Sequence, residues 1–306
     1  MSGTYYPGGQ SRAGWHRIES YATCRRKGAA GKRFATTGMY LCRGTLIHSA
    51  MQHWYLRMRA EQRGENKNEI MEPEAAMRES ARLEIERART AADREEWEDA
   101  LDFVIKASFV ASYANEYKNR IREWEILEAE REYAIMVQDP VRGGEYLFTQ
   151  RADLTVRDRK SRRIFIIDHK GTGRIGPETI NKYTLSGQRA GYYLHGYNTY
   201  GKDFGGVIFS FIEYPPTPRA GEAPSVSKWK YHEPHMLDAP GAIEDIKKTI
   251  IEVERWLLDF ARDNGGALPA DIMEYPPLLA PGAPCYSTYG KCVLFDACRT
   301  GDIRLV

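Results

Sequence analysis

The sequence predicts a mixed α/β fold, a sheet flanked by helices behind a helical N-terminal half, on three observations. After Pro73 the chain runs to Leu127 without glycine or further proline and is rich in Ala, Glu and Arg, a helix-forming composition. Three strand-like runs then follow at about 130–137, 146–156 and 164–169. Beyond them, a helix opened by Pro177 and Glu178, a strand at 206–213 and an amphipathic helix at 241–262 complete an α/β pattern.

In chain order, residues 1–14 are Gly, Ser and Tyr rich without a period and read as a flexible tail, leaving 15–306 as one domain. A short helix from Arg17 carries Ile18, Tyr21 and Cys24, and a Gly/Lys/Arg loop follows. The next helix spans about Leu41–Arg63, where Ile47, Met51, Trp54 and Met58 recur at helical spacing and His48 lies beside that stripe. The helical region is about 60–128, with two helices between Pro73 and Leu127, the core is about 130–214, and the C-terminal helix with a cysteine cluster is 240–306. The helix from Pro177 extends to about Gly196. Pro215–Pro224 is a proline-rich loop, Ser225–Met236 a strand or hairpin, and Gly265–Pro284 loop-like.

With 44 Lys and Arg against 42 Asp and Glu, the net charge of +2 leaves no global footprint for nucleic acid, so any such surface must be local. Arg25-Arg-Lys27 with Lys32-Arg33, and Arg157 to Arg163, are basic runs that suit either phosphate or solvent. No apolar run approaches the roughly 20 residues that span a bilayer, and no secretion signal is visible, so a cytoplasmic location is expected. There, clustered cysteines more often bind metal than form disulfides.

The chemistry concentrates between Tyr146 and Lys170. Arg157-Asp-Arg-Lys-Ser-Arg-Arg163 is a polar turn between Tyr146–Val156 and Ile164-Phe-Ile-Ile-Asp168-His-Lys170, both rich in strand formers. Folding back near 160 sets Asp153 opposite Asp168, and Lys170, two residues on, shares the face of Asp168. Opposed carboxylates ~5 Å apart repel, so a hard divalent cation, magnesium or manganese, is the expected occupant. The triplet acid-any-Lys occurs five times in the chain, but only Asp168-His-Lys170 ends an apolar strand with an aspartate facing it. In the following helix Gln188 and Tyr192, four apart, share a face. His48 could add a nitrogen ligand, which favours manganese.

Together these pieces resemble the RecB-like branch of the PD-(D/E)XK nuclease superfamily, in which a Gly-X-X-X-His helix, a strand acid, (Asp/Glu)-X-Lys and Gln-X-X-X-Tyr follow in that order. Here they are Gly44 to His48, Asp153, Asp168-His-Lys170 and Gln188 to Tyr192. The resemblance implies a restriction-endonuclease-like sheet and a Mg2+- or Mn2+-dependent deoxyribonuclease, an exonuclease acting on DNA ends in recombination, repair, or phage or CRISPR DNA processing. It implies that Asp153, Asp168, the His169 carbonyl and His48 hold the metal, that Lys170 serves the attacking water and phosphate, and that Gln188 and Tyr192 position the nucleic-acid backbone. Glu132, on the preceding strand, is a further acid for the site. In the same branch, the AddB nuclease domain and the CRISPR-associated exonucleases bind an iron-sulfur cluster through one N-terminal and three C-terminal cysteines. Cys24, Cys285, Cys292 and Cys298 are similar in arrangement, although six residues rather than two separate Cys285 from Cys292. Four thiolates suit [4Fe-4S] or, alternatively, zinc, and Cys42 is expected to be a buried structural thiol. The alternatives to the exonuclease are a catalytically silent nucleic-acid-binding scaffold and a zinc-stapled structure-specific endonuclease.

Overall fold

The computed structural model describes residues 13–30, 38–216, 228–239, 241–276, 286–287, 290–291 and 294. The chain opens with α1 (Trp15–Thr23), α2 (Arg25–Ala30) and α3 (Met39–Arg63), then α4 (Pro73–Arg87), α5 (Ala91–Lys106), α6 (Phe109–Tyr117) and α7 (Arg120–Glu123). Three strands follow, β1 (Trp124–Gln138), β2 (Glu145–Asp158) and β3 (Ile164–Thr172). After them come α8 (Pro177–Thr184), α9 (Gly187–Tyr200), β4 (Phe204–Glu213), β5 (Lys230–His232), β6 (His235–Met236) and α10 (Ala242–Asp263). The chain divides into two compact units, one of residues 1–36, 134–150 and 239–306, the other of 37–133 and 151–238.

The sheet is mixed, in the order β1-β2-β3-β4-β5, with β6 also on β4. β2 and β3 form the expected hairpin, antiparallel from Arg157 opposite Ile164 to Leu154 opposite Ile167. β3 and β4 are parallel, so the chain needs a crossover between them, which α8 and α9 supply. β5 and β6 pair antiparallel with β4 at successive heights. This is the mixed α/β class the sequence predicts.

In the second unit the apolar stripe of α3 (Leu46, Ile47, Met51, Tyr55, Met58) packs with Trp97, Phe103, Phe109 and Tyr113 of the neighbouring helices and with Leu154, Val156, Ile167, Ile208 and Ile212 of the sheet. Cys42 is fully buried in that cluster, as expected. The other face of β2 meets α9, where Tyr133 and Thr155 share a hydroxyl hydrogen bond of 2.7 Å and Tyr133 meets Tyr200 at 3.0 Å. Among the described residues no helix is long and apolar enough to cross a membrane.

Three readings of the helices change. A loop was expected after Cys24, but α2 forms there. Its Arg25 is buried 4.3 Å over the Trp256 ring, and Arg26 donates to the Tyr275 carbonyl at 2.8 Å, contacts within the first unit that outweigh the glycine in the segment. The stretch after Pro73 is four helices, and β1 already begins at Trp124. The breaks come from polar residues: the Thr90 side chain caps α5 by accepting from the Asp93 N–H, and Ser108 takes a left-handed φ of 49°. The single helix expected from Pro177 is likewise divided, with Ser186 Oγ accepting from the Arg189 N–H at 3.2 Å to start α9 afresh.

Candidate metal centre

Successive strand residues face opposite sides, and the end of β3 turns that rule into a site. Asp168 points to α9, where its Oδ1 accepts from the Tyr192 hydroxyl at 2.6 Å and from Gln188 Nε2 at 3.1 Å. Its Oδ2 lies 2.5 Å from Lys170 Nζ, the partner two residues on. His169 points to α3, where its ring stacks on Tyr55 (centroids 5.8 Å, 11° between planes) and meets His48 edge-on at 6.3 Å. Asp168 and His169 are both buried. The same hydroxyl lies 2.8 Å from the Arg151 carbonyl, the alternative acceptor for its one proton, which sets α9 against β2 beside the site.

The β2–β3 ladder ends at Leu154 opposite Ile167, and Asp153, next in register to Asp168, lies where it stops. Its Oδ2 accepts from the His169 N–H at 2.6 Å, and its Oδ1 lies 3.2 Å from Nδ1 of His48, presented by α3. A third acid joins them. One ligand atom each of His48, Glu130 and Asp153 fit within 4.8 Å of one another. Glu130 adopts a φ of 55°, left-handed backbone that is strained for a non-glycine residue inside a strand, and Arg151 holds its carboxylate at 2.8 Å.

The electrostatics follow from packing charges into a mostly buried pocket. For His48, burial opposes the imidazolium, and the Asp153 carboxylate against it prevails, raising the pKa to about 9. Burial and then the Asp153 charge push Glu130 up to about 7, against the pull of Arg151 and His48. Asp153 resists burial through His48 and stays well below the usual carboxylate range. Asp168 is raised by burial, which Lys170 only partly offsets, while burial takes the His169 ring down to about 3 and keeps it neutral. Lys170 loses to burial but gains more from Asp168, and remains a cation.

The structure therefore gathers His48, Asp153, Asp168, His169, Lys170, Gln188 and Tyr192 into one place. One sequence reading needs amending. Glu132 is exposed, and the further acid is Glu130. Gln188 Nε2 and the Tyr192 hydroxyl both reach Asp168 and hold that carboxylate. Alternation alone could not choose among Glu128, Glu130 and Glu132, which share a parity; the distorted backbone at Glu130 decides. Of the cysteines expected to form a cluster, Cys24 lies half-buried between α1 and α2, while Cys285, Cys292 and Cys298 lie outside the described residues.

A cluster of two carboxylates and an imidazole, with a third carboxylate alongside, suits a hard or borderline divalent cation. Glu130, pushed up to about 7 by burial and then by the Asp153 charge, is an acid that a cation would relieve.

No curated protein matches the chain in sequence. Among the solved structures that match is one titled "Crystal structure of SSO0001", 12% identical, with a TM-score of 0.30 over 70% of this chain and 74% of that one, too distant to add to the fold or the site. The family comparison is more extensive. The model of the PD-(D/E)XK nuclease superfamily matches residues 15–263, which takes in both strands of the hairpin, the α3 histidine and the α9 pair, and the chain belongs to that superfamily.

Proposed function

We propose that the protein is a Mg2+- or Mn2+-dependent deoxyribonuclease of the RecB-like kind, an exonuclease that hydrolyses phosphodiester bonds from DNA ends. The observation that carries this reading is the convergence of His48, Glu130, Asp153 and the Asp168–Lys170 pair where β2 and β3 part. His48, Glu130 and Asp153 would hold the cation, with Asp168 and the His169 carbonyl completing the set. A cation there supplies neutralisation of phosphate charge and acidification of water. Lys170, held by Asp168, directs its ammonium at the attacked phosphate and the water beside it. Tyr192 and Gln188 hold Asp168 in place, and Lys170 favours its charged form. End-directed action, DNA as substrate, and a setting in recombination, repair, or phage or CRISPR DNA processing rest on the motif resemblance.

The same reading includes a [4Fe-4S] cluster on Cys24, Cys285, Cys292 and Cys298, with zinc as the alternative. It rests on the motif resemblance and on the number of thiols, four, that either group takes. Anaerobically purified protein should be brown, absorb near 400 nm and contain iron; a colourless protein with stoichiometric zinc would remove the cluster.

The test of the activity is degradation of end-labelled linear and closed circular DNA with manganese by wild type, Asp168→Ala and Lys170→Ala. Loss of linear DNA alone, abolished by both substitutions, is the expected result. Cutting of circles would make the protein an endonuclease, and no cleavage by folded, metal-loaded protein would overturn the enzymatic reading.

A further inference from the structure

Beyond Lys170 the chain builds a second feature, a cleft of about 360 Å³ lined by Tyr40, Arg43, Gly173, Glu213, Tyr214 and Lys228, with two prolines and Lys230. Its position is fixed by the elements that carry the metal centre. Arg43 precedes His48 by five residues on α3, a rise of roughly 7.5 Å. Gly173 follows Lys170 by three residues, roughly 10 Å of extended chain. The cleft thus shares α3 with His48 and lies at the end of β3, where Gly173 lines it three residues beyond Lys170.

The charges in the cleft do not balance. Arg43 is 5% exposed, lies 3.6 Å over the Phe103 ring, and has neither ion pair nor hydrogen bond among the described residues; its buried Nε has no acceptor. The exposed Asp99 carboxylate acts on it without forming an ion pair, and a buried cation with no contacting anion is costly, so this one points to an anionic ligand. Lys228, exposed at the rim, likewise has no ion-pair partner among the described residues. Glu213 adds no free negative charge, because Lys230 lies 2.5 Å from its Oε1 and the Ile175 N–H donates to its Oε2 at 2.6 Å.

The aromatic lining supplies the other half of a nucleotide site. Tyr214 is buried against Gly171, where any side chain would collide with its hydroxyl, and that hydroxyl has no hydrogen-bond partner. Tyr40 leans on it with ring centroids 5.8 Å apart, yet remains 63% exposed. An exposed ring braced by a buried one is a stacking platform.

We propose that this cleft holds one nucleotide of the substrate strand beside the scissile phosphate, with Arg43 and Lys228 on its phosphate and the open face of Tyr40 on its base. The proposal rests on the nuclease reading and adds the groups that grip the strand.

The test is binding of a fluorescein-labelled single-stranded oligonucleotide to the full chain in EDTA, by anisotropy over a series of salt concentrations. Tyr40→Ala should weaken binding by roughly tenfold through lost stacking. Lys228→Ala should lower the slope of log affinity against log salt by about 0.7, the signature of one phosphate contact. Arg43→Ala should do both more strongly; because it alters a buried site, the two rim variants carry the test. Lys202→Ala, an exposed lysine outside the cleft, serves as the control. Oligonucleotides with a 5′-phosphate, a 3′-phosphate or neither separate the sources of the phosphate. Equal losses on all three identify an internal phosphodiester, and a loss confined to one identifies a terminal phosphate. Affinities within twofold of wild type for both rim variants, in a protein that degrades DNA, would overturn the cleft and leave the nuclease reading standing. Absence of DNA cleavage by wild type with the binding losses intact would overturn the nuclease reading instead.

Discussion

Loading the metal-free protein with manganese should release protons, in a number set by the site. The His48 imidazolium, raised to about 9 beside Asp153, is nearly all protonated at neutral pH, and Glu130, raised to about 7, is about half protonated. Both must be deprotonated to act as ligands. Summing the two fractions gives roughly 1.9 protons released at pH 6, 1.5 at pH 7 and 1.0 at pH 8. The sign follows: metal affinity rises with pH throughout this range, more steeply below pH 7 where Glu130 contributes. Calorimetric titration with MnCl2 in buffers of differing protonation enthalpy measures the release directly. Glu130→Gln should remove roughly 0.9 proton at pH 6 and almost none at pH 8. Release below about 0.3 proton at every pH, or a profile that Glu130→Gln leaves unchanged, would refute the assignment of His48 and Glu130 as ligands.

Other outcomes follow from single contacts. Tyr192→Phe removes the hydroxyl that lies 2.6 Å from Asp168 Oδ1 and 2.8 Å from the Arg151 carbonyl, and should lower cleavage about 10- to 100-fold in single-turnover assays. Gly196→Ala drives a methyl into the Phe204 ring within the second unit, and should cost about 1–3 kcal/mol in urea unfolding. Asp139 is held well below the usual carboxylate range, first by Arg255 and then, against burial, by the N–H groups of Arg142 and Val141. Its stabilisation is present above the unfolded pKa of about 3.9 and is lost as pH falls through the lowered folded pKa, so the urea midpoints of wild type and Asp139→Asn should differ at pH 7, begin to approach below about pH 4 and meet only below the folded pKa.

The hairpin was legible because alternation and a polar turn fix its register: Leu154 opposite Ile167 sets Asp153 next to Asp168 by arithmetic. The α9 pair and the α3 histidine were legible from helical spacing. Helix boundaries were less so, because Thr90, Ser108 and Ser186 start new helices through side-chain and backbone geometry, and at Thr90 and Ser108 no glycine or proline marks the break in sequence. Arg25 and Arg26 read as charges in a loop, since the partners that make them part of a helix, Trp256 and Tyr275, lie over 200 residues away. Glu130 was indistinguishable from its neighbours because its selection depends on one left-handed residue in a strand, which no pattern of polarity records.

The opposite orientations of Asp168 and His169 set a rule for how this chain can change length. The turn after Asp158 is exposed and contributes nothing to the site, so it can gain or lose residues freely. A single residue inserted between Ile164 and Asp168 would instead reverse the phase of everything after it, presenting an imidazole to Tyr192 and a carboxylate to Tyr55. Two inserted residues would restore the phase but carry Lys170 past its partners. Variation along the hairpin is thus confined to its tip, and the strand that follows is frozen in length as well as in composition.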